Sequence, residues 1–278
     1  IAVPVRDTAL NRFLCRRVIT GLIVNSLDTR AAVLRHNPAL IDPARIHLLY
    51  NCLNVPESPP TDPPEREPEG SPIIGCAGRL VAQKDHARLI EAAALLKARG
   101  RRFRVLLAGT GPLEARLEAK AKAAGVADSV AFLGFVEDMA GFYASLDILA
   151  LPSRFEGFGY TALEAMAAGR PVVGFRASSI PEIVEHGVSG LLVEPGDTAA
   201  LADALDTLLA DPARRHAMGQ KGWRLARERF DTRQAVPRLE ALLGLARPGT
   251  AGAAALSDGR EEASDEGGVV MSAAPVKM

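Results

Sequence analysis

Two glutamates eight positions apart, Glu156 and Glu164, bracket the turn Gly157-Phe158-Gly159 and the start of an almost wholly apolar run, Tyr160-Thr161-Ala162-Leu163 to Met166. A carboxylate in such a helix needs a partner, because burying it alone is costly. Glu164 can accept hydrogen bonds from two ribose hydroxyls near a helix N-terminus, or pair with a neighbouring arginine. Glu156 can touch a sugar hydroxyl or cap its turn. Earlier in the chain, Gly78-Arg79-Leu80-Val81-Ala82-Gln83-Lys84 holds two cations. A guanidinium grips two phosphate oxygens at once, whereas an ammonium acts as a point charge. Set on a diphosphate, the two would stabilise it as a leaving group. The alternative is a solvated strand-end arginine and a helix-start lysine.

The elements that must position these residues alternate. Ile73–Ala77, Arg104–Leu107, Ser129–Leu133, Leu146–Leu151, Pro171–Phe175 and Gly190–Val193 read as strands. Helices are expected at Asp85–Ala98, Leu113–Ala124, Glu137–Ala144, after Gly159, from Pro181 and at Thr198–Leu209. Apolar strands alternating with helices predict an α/β fold, a Rossmann-like parallel sheet covered by helices on both faces. Ligands of such sheets bind beyond the carboxyl ends of the strands. Those ends carry Gly78 to Lys84, Gly109-Thr110-Gly111-Pro112, Gly134-Phe135-Val136-Glu137 and Glu156 to Gly159. Backbone amides at turns without Cβ atoms, plus an arginine and a lysine, suit a phosphate-bearing nucleotide. Gly109 and Gly111 alone also fit a plain tight turn. Phe135 and Val136 can wall a nucleobase or belong to the core. The third glycine of the dinucleotide fingerprint is absent, which argues against NAD.

Before this unit, residues 1–54 read as helix (Asp7–Val18), strand (Ile19–Val24), helix capped at Ser26 and running to about His36, and strand (Arg45–Tyr50). Residues 55–72 hold seven prolines and read as a linker. Residues 73–230 form the main domain, 231–246 a C-terminal helix, and 247–278 a Gly/Ala/Ser-rich tail expected to be disordered. Ser179-Ile180-Pro181-Glu182 reads as a capping box.

Composition excludes several classes. Formal net charge is zero, so nothing draws the whole chain to nucleic acid. Arg12, Arg16 and Arg17 admit a peripheral contact with an anionic membrane, though a neutral chain favours a solvated helix face. Three scattered cysteines give neither a zinc spacing nor a disulfide framework, and five histidines show no ligand spacing. The expected location is cytoplasmic, or the inner face of the membrane. No Asp-x-Asp is present to hold a metal–diphosphate.

Taken together, residues 73–230 closely resemble the C-terminal, nucleotide-sugar-binding domain of the GT-B glycosyltransferases of family 4, the glycosyl transferases group 1. The matching pieces run in the family's order: Gly78-Arg79-Leu80 with Lys84; Ala108 to Pro112; Phe132-Leu133-Gly134; Pro152-Ser153 leading to the Glu-x7-Glu pair; Gly169 to Val173; Pro181 to Val184; and Gly190 to Val193. Residues 1–54 resemble the end of the family's N-terminal acceptor domain, with most of that half-domain missing, so the chain reads as a fragment. Cys52 stands where the family usually has glycine after Asn51, and Ser178-Ser179 replace a common glycine pair near the donor sugar.

The resemblance implies transfer of a sugar, with retention, from a nucleoside diphosphate sugar to a sugar or lipid-linked acceptor hydroxyl, in cell-surface polysaccharide or glycolipid synthesis. It implies no cofactor and no essential metal. Arg79 and Lys84 would bind the diphosphate and, with Glu156, carry catalysis. Gly78, Gly109 and Gly111 would line the phosphates, and Phe135 and Val136 the base. Glu164 would hold the ribose, and Phe158, Gly159, Tyr160 and Thr161 would complete the donor site. As given, the chain is expected to bind nucleotide weakly and to transfer little sugar. The alternatives are a non-catalytic nucleotide-sugar-binding module and a GT-B-type epimerase.

Overall fold

A computed structural model describes residues 8–37, 41–58 and 70–245. The predicted linker's centre and the C-terminal tail lie outside the described residues. The N-terminal segment holds α1 (Ala9–Phe13), β1 (Leu22–Val24), α2 (Leu27–His36) and β2 (Ile46–Leu48), with β1 and β2 paired in parallel. Its core is small: Val24, Val33 and Ile46, with Leu22, Leu34, Ile41 and Leu48 around them. The expected first helix continues from α1 as a wider π turn over Leu14–Val18, and the following strand is shorter than predicted. Ser26 caps α2 as expected, its Oγ accepting from the Thr29 amide at 3.0 Å.

The main unit contains β3 (Ile73–Ala77), α3 (His86–Ala98), β4 (Arg104–Ala108), α4 (Glu114–Ala123), β5 (Val130–Gly134), α5 (Met139–Ser145), β6 (Ile148–Leu151), α6 (Tyr160–Ala167), β7 (Val172–Phe175), α7 (Ile180–Ile183), β8 (Gly190–Val193), α8 (Thr198–Ala210), α9 (Pro212–Arg229) and α10 (Thr232–Leu242). All six strands are parallel, in the order β5-β4-β3-β6-β7-β8. The order reverses between β3 and β6, which opens a crevice beyond their carboxyl ends.

Both sheet faces are buried because alternate strand residues enter different cores. Ile74, Cys76, Ile148, Ala150, Val173 and Phe175 pack with α3, α4 and α8. Ile73, Ala77, Leu149, Leu151 and Val172 pack with α5, α6 and α9. The near-continuous apolar strands therefore signal a doubly covered sheet.

The N-terminal segment joins the main unit through 50–58. The Tyr50 ring meets Phe230 edge-on at 5.3 Å and Phe158 at 6.3 Å. Leu53 bonds the backbone on both sides of Asp231. The Val55 amide donates to the Asp231 carboxylate, and Trp223 Nε1 donates to the Pro56 carbonyl at 3.1 Å. The Arg233 guanidinium holds the Asp231 carboxyl down at about 2. Within the Pro-rich stretch, residues 55–58 are thus laid along the α9–α10 junction.

Candidate functional site

The loops after β3 and β4 are built backbone against backbone. The Gly78 amide donates to the Ala108 carbonyl, and the Leu80 amide to the Thr110 carbonyl, both at 2.9 Å. A Cβ on Gly109 would lie 2.1 Å from the Gly78 carbonyl oxygen, and one on Gly111 would lie 2.5 Å from that of Leu80. These glycines let two loops touch, a reason independent of any ligand. From this platform Arg79 projects, exposed and without a partner among the described residues. The β5 end joins it: the Gly109 amide donates to the Gly134 carbonyl at 2.7 Å. Phe135 is 78% exposed, whereas Val136 leans on the core shared with α5 and α6.

The loop after β6 is fastened to the loop after β3. The Arg154 amide donates to the Gln83 carbonyl, and Gln83 Nε2 to the Phe155 carbonyl, both at 2.9 Å. Arg154 also pairs with Asp85 at 2.6 Å. Lys84 Nζ then reaches both oxygens of Glu156, at 2.7 and 2.9 Å. Two side chains that sequence reasoning assigned to separate parts of a donor meet each other directly. An ammonium has three donors, so one N–H of Lys84 is left for a further acceptor. Glu156 is 6% exposed and Lys84 is partly buried, which makes this a semi-enclosed pair.

Below it, Asp85 takes a left-handed backbone, φ 47°, and starts α3 without a side-chain cap. The next residue, His86, is 2% exposed, and neither ring nitrogen has a hydrogen-bond partner. Burial first and Lys84 second lower its pKa to about 4, against the opposing pull of Asp85.

The Glu-x7-Glu turn places its acids in different surroundings. Glu164 sits half-buried on α6, and its Oε2 accepts the Tyr143 hydroxyl at 2.7 Å. Phe158 is buried and packs edge-on with Tyr160 at 5.5 Å and Phe230 at 6.1 Å. Its ring belongs to the junction with the N-terminal segment. Tyr160 is half-exposed, and the Thr161 hydroxyl is buried with no partner, an acceptor and donor still to be satisfied. Gly159 opens α6 with φ 103°, where a Cβ would strike Ile180.

The Ser179-Ile180-Pro181-Glu182 capping box does not form. The Ser179 hydroxyl instead donates to the Phe158 carbonyl at 2.7 Å, bracing the acidic turn. Glu182 reaches across to the N-terminal segment, where its oxygens accept the Leu27 and Asp28 amides at 2.7 and 3.0 Å. It caps α2 instead of its own helix, and it helps burial push the Tyr50 phenol up to about 12. Ser178 adopts φ 50°, and its Oγ accepts the Glu156 amide at 3.4 Å. Asp85 and Ser178 are the non-glycine residues with positive φ among those described; Cys52 is not one of them. Sequence reasoning did not assign Tyr143 to the site, because it lies 21 residues from Glu164 with no local spacing to connect them.

A match to the glycosyl transferases group 1 family spans residues 58–224. The chain belongs to this family. It is 32% identical over 224 residues to the 2-deoxystreptamine glucosyltransferase of Streptomyces kanamyceticus, covering 74% of this chain and 55% of the relative. It is 35% identical over 181 residues to a GDP-mannose-dependent α-(1-6)-phosphatidylinositol monomannoside mannosyltransferase of Mycolicibacterium smegmatis, covering 62% and 47%. The chain thus spans about half the length of these relatives. Among solved structures, Anabaena Alr3699/HepE in complex with UDP superposes with a TM-score of 0.74 at 25% identity, over 83% of this chain and 65% of that one.

Proposed function

We propose that this chain carries the donor-binding half of a retaining glycosyltransferase, moving a sugar from a nucleoside diphosphate sugar to an acceptor hydroxyl. The observation that carries this reading is the meeting of Lys84 with Glu156 across the β3/β6 crevice, beside the unpaired Arg79. Arg79 and the remaining Lys84 donor meet the diphosphate and stabilise the charge that grows on its bridging oxygen as the sugar leaves. Glu156 keeps Lys84 aimed and turns its own edge toward the donor sugar. The amides opening α6 face the same crevice with positive partial charge. Glu164 takes the ribose, and the exposed Phe135 offers a ring face to the base. Two side-chain cations do the work a metal does elsewhere, so a chelator leaves nucleotide binding unchanged.

The acceptor we propose is a sugar or lipid-linked glycan of the cell surface. The mannosyltransferase relative, whose name specifies a phosphatidylinositol mannoside, supports that choice. Among the described residues no helix is long and apolar enough to cross a membrane; a peripheral contact through Arg12, Arg16 and Arg17 belongs to this proposal.

Titration with UDP, GDP and ADP tests the reading. One of them raises the melting temperature, and Arg79→Ala removes the rise; no response to any of the three refutes it. A non-catalytic nucleotide-sugar-binding module is the second reading. Nucleotide binding with no transfer from the full-length protein selects it.

A further inference from the structure

Glu164 lies on a helix whose neighbouring residues Ala162, Leu163, Ala165, Met166 and Ala167 are all buried. One of its oxygens, Oε2, accepts the Tyr143 hydroxyl at 2.7 Å, and Oε1 has no partner among the described residues. Tyr143 is 2% exposed on α5, and its ring stands edge-on to Phe142 at 5.4 Å. Packing therefore fixes the phenol before any ligand arrives. Burial, and then the Glu164 charge, push the phenol far above its ordinary pKa, so it remains a donor to the carboxylate throughout the neutral range.

An ionised carboxylate offers about four lone-pair sites. Tyr143 occupies one on Oε2. The rest of Oε2 and all of Oε1 stay open, enough for two vicinal hydroxyls. A glutamate without this anchor rotates about its side-chain torsions and loses that freedom on binding. We propose that Tyr143 is a positioning residue: it holds Glu164 in the one rotamer that accepts both ribose hydroxyls, and so sets the preference of the site for ribose over deoxyribose. This rests on the donor-site reading above. A merely structural Tyr143 would satisfy a half-buried carboxylate and affect stability without touching that preference.

The test uses the full 278-residue chain and whichever of UDP, GDP or ADP binds best, with its 2′-deoxy and 3′-deoxy counterparts. Dissociation constants are measured for the unmodified chain, Tyr143→Phe, Glu164→Gln and the double variant, each accompanied by a thermal melt. The unmodified chain prefers the ribonucleotide by about tenfold or more, since a carboxylate built for hydroxyls is left unpaired by the deoxy form. Tyr143→Phe weakens ribonucleotide binding about five- to twentyfold and leaves deoxynucleotide binding nearly unchanged, so the ratio collapses. In the Glu164→Gln background the second change has no further effect on the ratio. Tyr143→Met removes the same donor with a side chain that refits the core, and it reads the ratio should the phenylalanine variant not fold.

A lower melting temperature with an unaltered ratio overturns the positioning role. Equal binding of ribo and deoxy forms by the unmodified chain overturns it through Glu164, while the phosphate contacts stand. No nucleotide binding at all removes the donor-site reading and this inference together.

Discussion

The two sides of the crevice are made differently. The β3–β4 side is shaped by missing side chains: Gly109 and Gly111 let carbonyls approach where a Cβ would collide. The β6–α6 side is shaped by side-chain bonds, two of them reaching across to the loop after β3: Glu156 with Lys84 and Arg154 with Asp85, then Tyr143 with Glu164, and Ser179 with the Phe158 carbonyl. One side is a floor of backbone packed on backbone, from which Arg79 projects. The other is a set of paired polar groups, each able to exchange part of its bonding for a ligand. The proposed donor site would use both, phosphates being held by fixed amides and cations and sugar hydroxyls by oriented carboxylates.

Substitutions can break this contrast. The largest effect belongs to the floor. Gly109→Ala puts a methyl 2.1 Å from a backbone oxygen at φ 138°, and we expect a loss of about 4 kcal/mol or more in denaturant unfolding. Gly134→Ala is the control, at φ 66° with nothing within 4 Å, and costs about 1–2 kcal/mol. Equal losses at the two sites would show that loop contact is not what the first glycine provides.

Next comes the paired side. Lys84→Ala leaves the Glu156 carboxylate, 6% exposed, without its counter-charge, and lowers stability by about 3 kcal/mol. Adding Glu156→Gln returns much of the loss, because the orphaned charge is gone; a strictly additive double variant would sink this account.

Acid reads the same neighbourhood. The folded pKa of His86 is depressed to about 4 from 6.5, so the unfolded chain takes its proton first as pH falls. The stability that neutral burial preserves is full above about 6.5 and drains as pH drops toward 4, by up to about 3 kcal/mol. His86→Leu flattens that part of the profile in pH-dependent melts; an unchanged slope would assign it to other groups.

The smallest effects fall on exposed or strained single residues. Ser178→Gly relieves a left-handed serine and gives up a long 3.4 Å contact, for a net gain of about 0.5 kcal/mol. Arg79→Ala leaves the stability of the free chain within about 0.5 kcal/mol, although it removes the nucleotide response. A large stability loss there would mean that Arg79 supports the floor instead of projecting from it.

Much of the fold was legible. Strand and helix positions in the main unit follow from apolar runs separated by glycine turns, and the parallel, doubly covered sheet follows from their alternation. That the β3, β4, β5 and β6 ends meet was legible because topology makes every parallel strand deliver its carboxyl end to the same edge. What escaped was side-chain pairing over distance. Ser179-x-x-Glu182 has the spacing of a local cap, yet both side chains find better partners elsewhere, one on the acidic turn and one on α2 of the N-terminal segment. Local pattern predicts local bonds, and tertiary packing offers competitors that no spacing records.

The sequence by itself determined the class of fold, the family, and the residue types that face the crevice, since these depend on periodicity and on short contiguous motifs. Tertiary structure alone decided that Lys84 and Glu156 neutralise each other, that the glycines serve contact between loops, and that Tyr143 anchors Glu164. The physical reason is the same in each case. A hydrogen bond or ion pair depends on distances of about 3 Å between groups separated by 21 to 72 residues, and those distances exist only once the sheet has brought the strand ends together.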